Sequence, residues 1–166
     1  SPDKDLMQCV RGTRVVTWDR MRDVRYDEAG VIAKMGVPPL SIPDYLALVG
    51  DTADGIPGVP TWGARGSSAL LAHYGHLEAI PRESTEWVPK VRGAANMARE
   101  LVSVGDDVYL YRTLATLRRD VPLDLSASQL EWQGVREDAV AELAQLWGEP
   151  RLLELVSDAA VVGSKR

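Results

Sequence analysis

Short apolar runs, separated by glycine, proline and charged residues, divide this chain into one β-hairpin followed by a series of helices. Residues 14–18 and 23–26 are short segments on either side of a charged break, and the first is β-branched, which favours two paired strands. Apolar positions at helical spacing follow, and Gly or Pro ends most of these runs. The first predicted helix runs to residue 35 with Asp27 as N-cap, and the second runs up to Gly50 with Ser41 as N-cap. Two helices with a bend at 105–107 are predicted within 92–117. The other predicted helices are 64–74, 76–80, 136–146 and 151–156. The pattern predicts an α/β fold that is mostly helical.

The segment 50–63 is rich in glycine and proline and is predicted to be a tight loop. Its second half runs from Gly58 to Gly63 and leads directly into a helix. Glycines remove Cβ atoms that would obstruct a phosphate, and free N–H groups at a helix start attract an anion. Arg65 adds a cation, and Ser67 and Ser68 add hydroxyl donors. A single loop of this kind is more often a plain turn between helices.

Two pairs of aspartates are the candidate metal ligands. Asp3 and Asp5 are two positions apart, so on an extended strand end both carboxylates would lie on the same side. Asp51 and Asp54 follow the apolar helix and could share a helical face or a tight turn. Carboxylate oxygens are the ligands that a hard cation such as Mg²⁺ prefers. Each pair alone is more commonly part of a solvated turn. The glycine-rich loop directly after Asp54 favours a functional role for the second pair.

The amino-acid composition disfavours several classes of function. The chain of 166 residues is 45% hydrophobic and 26% charged, with a formal net charge of −5, which by itself argues against a nucleic-acid-binding protein. Its apolar runs are far shorter than the ~20 residues that cross a bilayer, so we expect no membrane partner and a cytoplasmic location. With one Cys and two His a zinc site is disfavoured, which leaves the carboxylates as the chemical groups.

Four segments, in order and spacing, resemble the C-terminal half of the bacterial 5′-3′ exonuclease and flap endonuclease family, whose members occur alone or joined to a DNA polymerase. The segments are Ser1–Gln8 (SPDKDLMQ), Tyr45–Val59 (YLALVGDTADGIPGV), the loop 58–63 and His73–Ile80 (HYGHLEAI). The resemblance implies the C-terminal part of a PIN-like 5′ nuclease domain with a helix-three-turn-helix element. It implies three regions of one continuous unit: 1–40 in the catalytic core, 41–123 in the helix-three-turn-helix region and 124–166 as a helical extension.

The resemblance also implies roles for single residues. Asp3, Asp5, Asp51 and Asp54 match divalent metal ligands of a site for two Mg²⁺ or Mn²⁺ ions, and hairpin carbonyls, here those of Val59 and Trp62, match a potassium site. The residues matched to the DNA backbone are Gly58, Gly63, Arg65, Ser67 and Ser68. Thr61-Trp62 and Arg65-Gly66-Ser67 depart from the family pattern, which affects the fine geometry of the phosphate and potassium site. The implied partners are DNA with a 5′ flap or 5′ end, the N-terminal half of the nuclease and a DNA polymerase.

The function expected from this resemblance is a structure-specific 5′ nuclease of the nucleoid that hydrolyses DNA by a two-metal mechanism. Because further family carboxylates precede the Asp3-Lys4-Asp5 segment, we expect the chain alone to be inactive. The alternative is a non-catalytic helix-hairpin DNA-binding module, and a phosphatase reading of Asp3 and Asp5 ranks last. Setting the four aspartates aside as metal ligands changes the net charge from −5 to −1, which weakens the electrostatic objection to DNA.

Overall fold

The computed structural model describes residues 1–131 and 134–156. The strands and helices with assigned bounds are β1 (Thr17–Asp19), β2 (Val24–Tyr26), α1 (Glu28–Met35), α2 (Ile42–Val49), α3 (Ala64–Tyr74), α4 (Ala94–Val104), α5 (Asp107–Ala115) and α6 (Glu137–Trp147). Short 3₁₀ turns connect them. The chain forms two compact units, Ser1–Arg119 and Asp120–Arg166. The predicted fold class is confirmed, because helices dominate and one small hairpin supplies the strands.

The β-hairpin is antiparallel, and Thr17 pairs with Tyr26. The first strand begins later than predicted, because residues 11–15 fold into a turn that closes with a bridge between Arg11 and Val15. Trp18 is exposed, and two guanidinium groups lie over its ring, at 5.4 Å from the centroid for Arg20 and 4.5 Å for Arg25. Cation–π contacts of this kind stabilise an exposed aromatic ring on a two-stranded sheet that has few other contacts.

Helix ends follow the predicted caps in α1 but not in α2. The Asp27 carboxylate accepts the Gly30 N–H at 2.8 Å, and Gly36 adopts φ 74° at the C-terminus, as expected for a glycine in the left-handed region. Ser41, in contrast, makes no side-chain cap on α2, because its hydroxyl donates to the Gly75 carbonyl at 2.7 Å. Its hydroxyl thus links the start of α2 to the end of α3.

A buried carboxylate fixes α2 against α5. Asp44 in the first turn of α2 is almost fully buried, and Arg112 of α5 donates to its Oδ1 at 3.0 Å. His76 Nδ1 lies 2.8 Å from Asp44 Oδ2, and the Arg112 guanidinium also forms an ion pair with Glu78, at 2.6 Å from its Nη2 to Oε1. These hydrogen bonds keep the buried Asp44 carboxylate from being unpaired, which would be costly. Since α2 leads directly into the loop 50–63, the contacts also orient that loop.

The core of the first unit lies between these helices and the N-terminal 3₁₀ turn, Asp5–Cys9. Gln8 in this turn is buried and bridges to the end of α5: its amide donates to the Ala115 carbonyl at 3.0 Å, and its Oε1 accepts the Leu117 N–H at 3.0 Å. The Arg119 guanidinium binds the Gln8 carbonyl. The segment that carries Asp5 is therefore held by residues more than a hundred positions away in the chain.

The predicted helix break at 105–107 is confirmed, since α4 ends before Gly105 and α5 begins at Asp107. The second unit contains α6 and a further helical segment at 151–156, as predicted. None of the helices among the described residues has the length and apolar character needed to span a membrane.

Candidate metal centre and nucleic-acid interface

Three of the four predicted metal ligands meet in one place. Asp5, Asp51 and Asp54 each present a carboxylate oxygen within 4.8 Å of the others, and we refer to these three residues as the carboxylate cluster. Asp51 is buried, Asp5 is half-buried and Asp54 is exposed. The cluster thus has one open side, and it joins the N-terminal 3₁₀ turn to the loop that follows α2.

A tight turn brings Asp51 and Asp54 to the same side. Asp51 and Ile56 form a bridge with two main-chain hydrogen bonds of 2.8 Å, which closes the turn that contains Asp54. The turn packs closely against the loop behind it. Gly58 has φ 73°, and a Cβ atom there would lie 2.6 Å from the Gly50 nitrogen and 2.7 Å from the Val49 carbonyl carbon. Only glycine allows this approach of two main-chain segments without displacing either.

Asp3 is outside the carboxylate cluster, so the structure does not bring all four predicted ligands together, and a metal-binding role for Asp3 stays a prediction. The reasoning assumed an extended chain, but Lys4 has φ −70° and ψ −24°, in the right-handed helical region. The extended geometry that would place both carboxylates on one side is therefore absent here, and Asp3 Oδ1 accepts the Asp5 N–H at 3.0 Å. Asp3 is exposed, and its negative charge contributes to the raised pKa of Asp5.

The negative charge of the carboxylate cluster is partly balanced by Lys4, whose ammonium donates to Asp51 Oδ2 at 2.5 Å. Burial raises the pKa of Asp5 to about 6, the neighbouring carboxylates Asp54 and Asp3 add to the rise, and Lys4 opposes it. Asp5 Oδ1 is buried and has no hydrogen-bond partner among the described residues. An unpartnered carboxylate oxygen beside two more carboxylates fits a divalent cation, which would supply the missing charge.

The side chains of Val59 and Trp62, named for a potassium site, belong to the core. Both are buried, and the Trp62 indole donates to the Met97 carbonyl at 2.8 Å. The Val59 carbonyl accepts the Trp62 N–H at 3.1 Å, and Thr61 between them has φ 69°, which is unusual for a β-branched residue. The bulky Trp62 side chain therefore anchors this loop, while a potassium site on its carbonyls stays a prediction.

The residues predicted to bind the DNA backbone separate into exposed and buried sets. Gly63 and Arg65 are exposed at the start of α3, and Ser68 is half-buried, with its hydroxyl donating to the Arg65 carbonyl at 3.2 Å. Ser67 is fully buried, so its hydroxyl is not available to a phosphate, and that prediction is corrected. Gly58 is buried too and serves close packing against Gly50. Ser67 lies on the face of α3 that packs against the core, together with Leu70 and Leu71.

Two cations that sequence reasoning did not single out lie beside Arg65. Lys90 and Arg92, from the segment before α4, line the same groove of about 540 Å³ as Arg65. We refer to these three residues and the space between them as the cationic groove. One signal could have revealed it: each of the two helices begins directly after a glycine, with Arg65 in the first turn of α3 and Arg92 just before Gly93 at the start of α4.

Comparison with known proteins shows the family of the chain. Residues 37–138 match the family model described as 5′-3′ exonuclease, C-terminal SAM fold. The chain is 34% identical to DNA polymerase I of Pseudomonas aeruginosa over 164 residues, which are 97% of the chain and 18% of that protein. It is 36% identical to a 5′-3′ exonuclease of Aquifex aeolicus over 131 residues, which are 79% of the chain and 42% of that protein. The chain thus spans less than half the length of either relative.

Proposed function

This chain belongs to the 5′-3′ exonuclease family, as its C-terminal SAM-fold domain, and we propose that it is the part of a metal-dependent 5′ nuclease that supplies metal ligands and grips duplex DNA. The observation that carries the proposal is the carboxylate cluster, in which Asp5, Asp51 and Asp54 lie within 4.8 Å of one another. The expected substrate is DNA with a 5′ flap or 5′ end, at the nucleoid. The relatives carry the names DNA polymerase I and 5′-3′ exonuclease, which supports the proposal that the complete protein has a 5′-3′ exonuclease activity, alone or linked to a polymerase.

The carboxylate cluster suits Mg²⁺ or Mn²⁺ in its donor set. Asp51 provides a buried oxygen, Asp5 an oxygen without a partner and Asp54 an exposed oxygen on the open side. When bound, divalent ions would activate water and stabilise the leaving oxygen of a phosphodiester. Lys4 holds Asp51 in place and offers a cation close to where the substrate phosphate would approach. The rigid turn between Asp51 and Ile56 keeps two of the ligands at a fixed separation.

The duplex-binding role is supported by the surface at the start of α3. Gly63 and Arg65 are exposed there, and no side chain among the described residues caps the helix start, so its first N–H groups are free for a phosphate. Duplex DNA is bound mainly through its phosphates, which need positive charge and N–H donors and no particular sequence. A K⁺ ion on the Val59 and Trp62 carbonyls would strengthen this hairpin contact.

The chain alone is proposed to be inactive. A two-metal mechanism needs carboxylates on both ions, and the described residues gather three in one place, with Asp3 nearby as a negative charge. The remaining ligands would come from the N-terminal half of the nuclease, which the resemblance places before Asp3. We expect no cleavage of a labelled 5′-flap duplex by the 166-residue chain in Mg²⁺, and cleavage when the N-terminal half is joined to it.

The direct test is metal binding by the chain. In Mn²⁺ titrations followed by calorimetry or electron paramagnetic resonance, Asp51→Asn should weaken binding by about a hundredfold and Asp54→Asn by about tenfold, because Asp51 is buried and Asp54 is exposed. Asp124→Asn removes an exposed carboxylate in the second unit and is the matched control. Equal Mn²⁺ affinity in Asp51→Asn and the control would contradict the metal site.

The same variants separate the nuclease from a non-catalytic DNA-binding module. In the protein with both halves, the nuclease proposal expects Asp51→Asn to abolish flap cleavage while duplex binding, measured by fluorescence anisotropy, changes by less than about twofold. A DNA-binding module without catalysis would keep every activity of the complete protein in this variant. Full activity of Asp51→Asn would therefore support the alternative.

A further inference from the structure

The cationic groove is formed by two separate segments of the first unit. Arg65 and Gly66 come from the first turn of α3, whereas Lys90 and Arg92 come from the segment that leads into α4, and the space between them measures about 540 Å³. All three cationic side chains are exposed. Lys90 and Arg92 do not belong to the hairpin on which the proposed duplex contact rests. The groove therefore extends that contact surface, which already includes Gly63 and Arg65, to the segment before α4.

Positive charge in the groove is unopposed. In the part of the chain that the structure describes, no acidic side chain lines the groove, and none of Arg65, Lys90 and Arg92 forms an ion pair. This is notable in a chain whose formal net charge is −5. In the first unit Lys4, Arg22 and Arg112 are paired with carboxylates, whereas Arg14 and Arg82 are, among the described residues, exposed cations without an ion pair that lie outside the groove. Three unpaired cations around one groove fit an anionic ligand.

The two walls of the groove are fixed to each other by buried contacts. The Trp62 indole donates to the Met97 carbonyl of α4 at 2.8 Å, and the Trp62 ring packs edge-on against Trp87 with 5.8 Å between ring centroids. Gly66 faces Met97 so closely that an added Cβ would lie 2.7 Å from the Met97 methyl carbon. The cations therefore project from a rigid frame, and little conformational entropy of the main chain would be lost on binding.

Both helices at the groove start from a glycine. Gly63 precedes α3 and Gly93 precedes α4, and within the described residues neither helix start is capped by a side chain. Helix starts of this kind carry free N–H groups and the positive end of the helix dipole. They add to the three side-chain charges, which are the main attraction of the groove for an anion.

From this geometry we infer that the cationic groove binds the phosphodiester backbone of duplex DNA, with Lys90 and Arg92 contacting phosphates beyond those reached by the hairpin. The inference rests on the proposed function for the choice of DNA as the anion. No aromatic, Asn or Gln side chain lines the groove among the described residues, so neither base stacking nor amide contacts to base edges are offered. Binding in the groove should be independent of DNA sequence.

The test compares two charge-matched double variants of the 166-residue chain. Lys90→Gln with Arg92→Gln removes two cations from the groove, and Arg14→Gln with Arg82→Gln removes two exposed cations that do not line it. The probe is a fluorescein-labelled 20-base-pair blunt duplex, titrated by anisotropy in EDTA at several salt concentrations. Circular dichroism spectra check that both variants fold, which is expected because all four positions are exposed.

The groove variant should bind about tenfold more weakly than the unmodified chain at about 100 mM salt, and the slope of log K against log salt should fall by roughly 2, for two lost phosphate contacts. The control variant should change affinity by less than about threefold, because its cations act only at long range. Exchange of the cations, as Lys90→Arg with Arg92→Lys, should restore most of the binding. Three duplexes of unrelated sequence should give the same result.

Equal loss in the groove and control variants would overturn the inference, since it would show a general charge effect. Absence of duplex binding by the unmodified chain at about 50 mM salt would overturn it as well. Mn²⁺ titration of the groove variant separates the metal site from the cationic groove. Intact Mn²⁺ binding together with weakened duplex binding supports both proposals. Intact duplex binding in the groove variant rejects duplex binding by the groove and leaves the metal site unaffected. Loss of Mn²⁺ binding in the unmodified chain would reject only the metal site.

Discussion

In the carboxylate cluster like charges are brought together and partly buried, whereas in the cationic groove like charges stay exposed on a rigid frame. The first arrangement raises the pKa of Asp5 to about 6 and leaves one of its oxygens without a partner among the described residues. In the second, water still solvates each cation, so a nearby like charge costs little. The comparison suggests a general rule. A site for a compact divalent ion requires the fold to hold mutually repelling carboxylates close together, whereas a site for an extended polyanion requires only exposed cations that no carboxylate neutralises.

Both regions depend on the loop 50–63, but through different contacts. The carboxylate cluster depends on the close main-chain approach of Gly58 to Gly50, and the cationic groove depends on Trp62, which links the loop to α4. Changes at these two positions should therefore affect the regions unequally. Gly58 is expected to affect both regions, because its close contact with Gly50 lies between the turn that contains Asp51 and the rest of the hairpin.

The largest effect is expected for Gly58→Ala. The new Cβ would lie 2.6 Å from the Gly50 nitrogen at φ 73°, so the variant should lose about 3 kcal/mol or more of stability and weaken Mn²⁺ and duplex binding together. Gly55→Ala is the control: its φ is 71° but no atom lies within 4 Å of the new Cβ, so only about 1 kcal/mol should be lost. Urea unfolding of both variants gives the comparison, and equal losses would contradict the packing argument.

Trp62→Phe should loosen the cationic groove and leave the carboxylate cluster nearly intact. The variant loses the 2.8 Å hydrogen bond to the Met97 carbonyl and part of a buried ring, so we expect a loss of about 1 to 3 kcal/mol in the free energy of unfolding. Duplex affinity should fall by a few-fold because the two walls are less well fixed. Anisotropy and Mn²⁺ titrations on one preparation check the contrast, which fails if Mn²⁺ binding weakens as much as duplex binding.

A pH series distinguishes the two regions without altering either backbone. The folded-state pKa of Asp5, about 6, lies above its ordinary value of 3.8, so the folded chain holds the proton more tightly than the unfolded chain. The resulting stability is present below about pH 4 and is lost as the pH rises through about 6. In EDTA, Asp5→Asn should therefore gain stability relative to the unmodified chain at pH 7.5 and gain less at pH 5.

Urea midpoints at the two pH values measure this difference, and Mg²⁺ should reduce it at pH 7.5 by binding the ionised carboxylates. The groove variant Lys90→Gln with Arg92→Gln is the control, because it leaves the carboxylate cluster unchanged. An Asp5→Asn effect that does not vary with pH would show that Asp5 is not the titrating group.

The smallest effect is expected for Ser67→Ala. The hydroxyl is fully buried and has no hydrogen-bond partner among the described residues, so its removal should change stability by no more than about 1 kcal/mol and could raise it. Duplex affinity should stay within about twofold of the unmodified chain, in contrast to the groove variant. A tenfold loss of duplex affinity, measured by anisotropy, would place Ser67 at the interface after all.

Most helix boundaries could be predicted from the sequence alone, because they depend on interactions between residues that are close in the chain. Asp27 and Gly36 bound α1 as predicted, and Gly105 separates α4 from α5, because caps and left-handed glycines act through neighbouring main-chain groups. The pairing of Asp51 with Asp54 was also visible, since a short turn joins them. The order of the motifs was enough to indicate the family, which the match over residues 37–138 then showed.

Only the tertiary structure decided which distant residues meet. Asp5 reaches Asp51 because Gln8 ties the N-terminal turn to the end of α5, and Asp3 stays outside because Lys4 is helical. Lys90 and Arg92 join Arg65 because Trp62 and Met97 bring two segments together, and Ser67 turns inward because of the rotation of α3 in the core. Packing of buried side chains across long sequence separations sets these relations, and no local pattern records them.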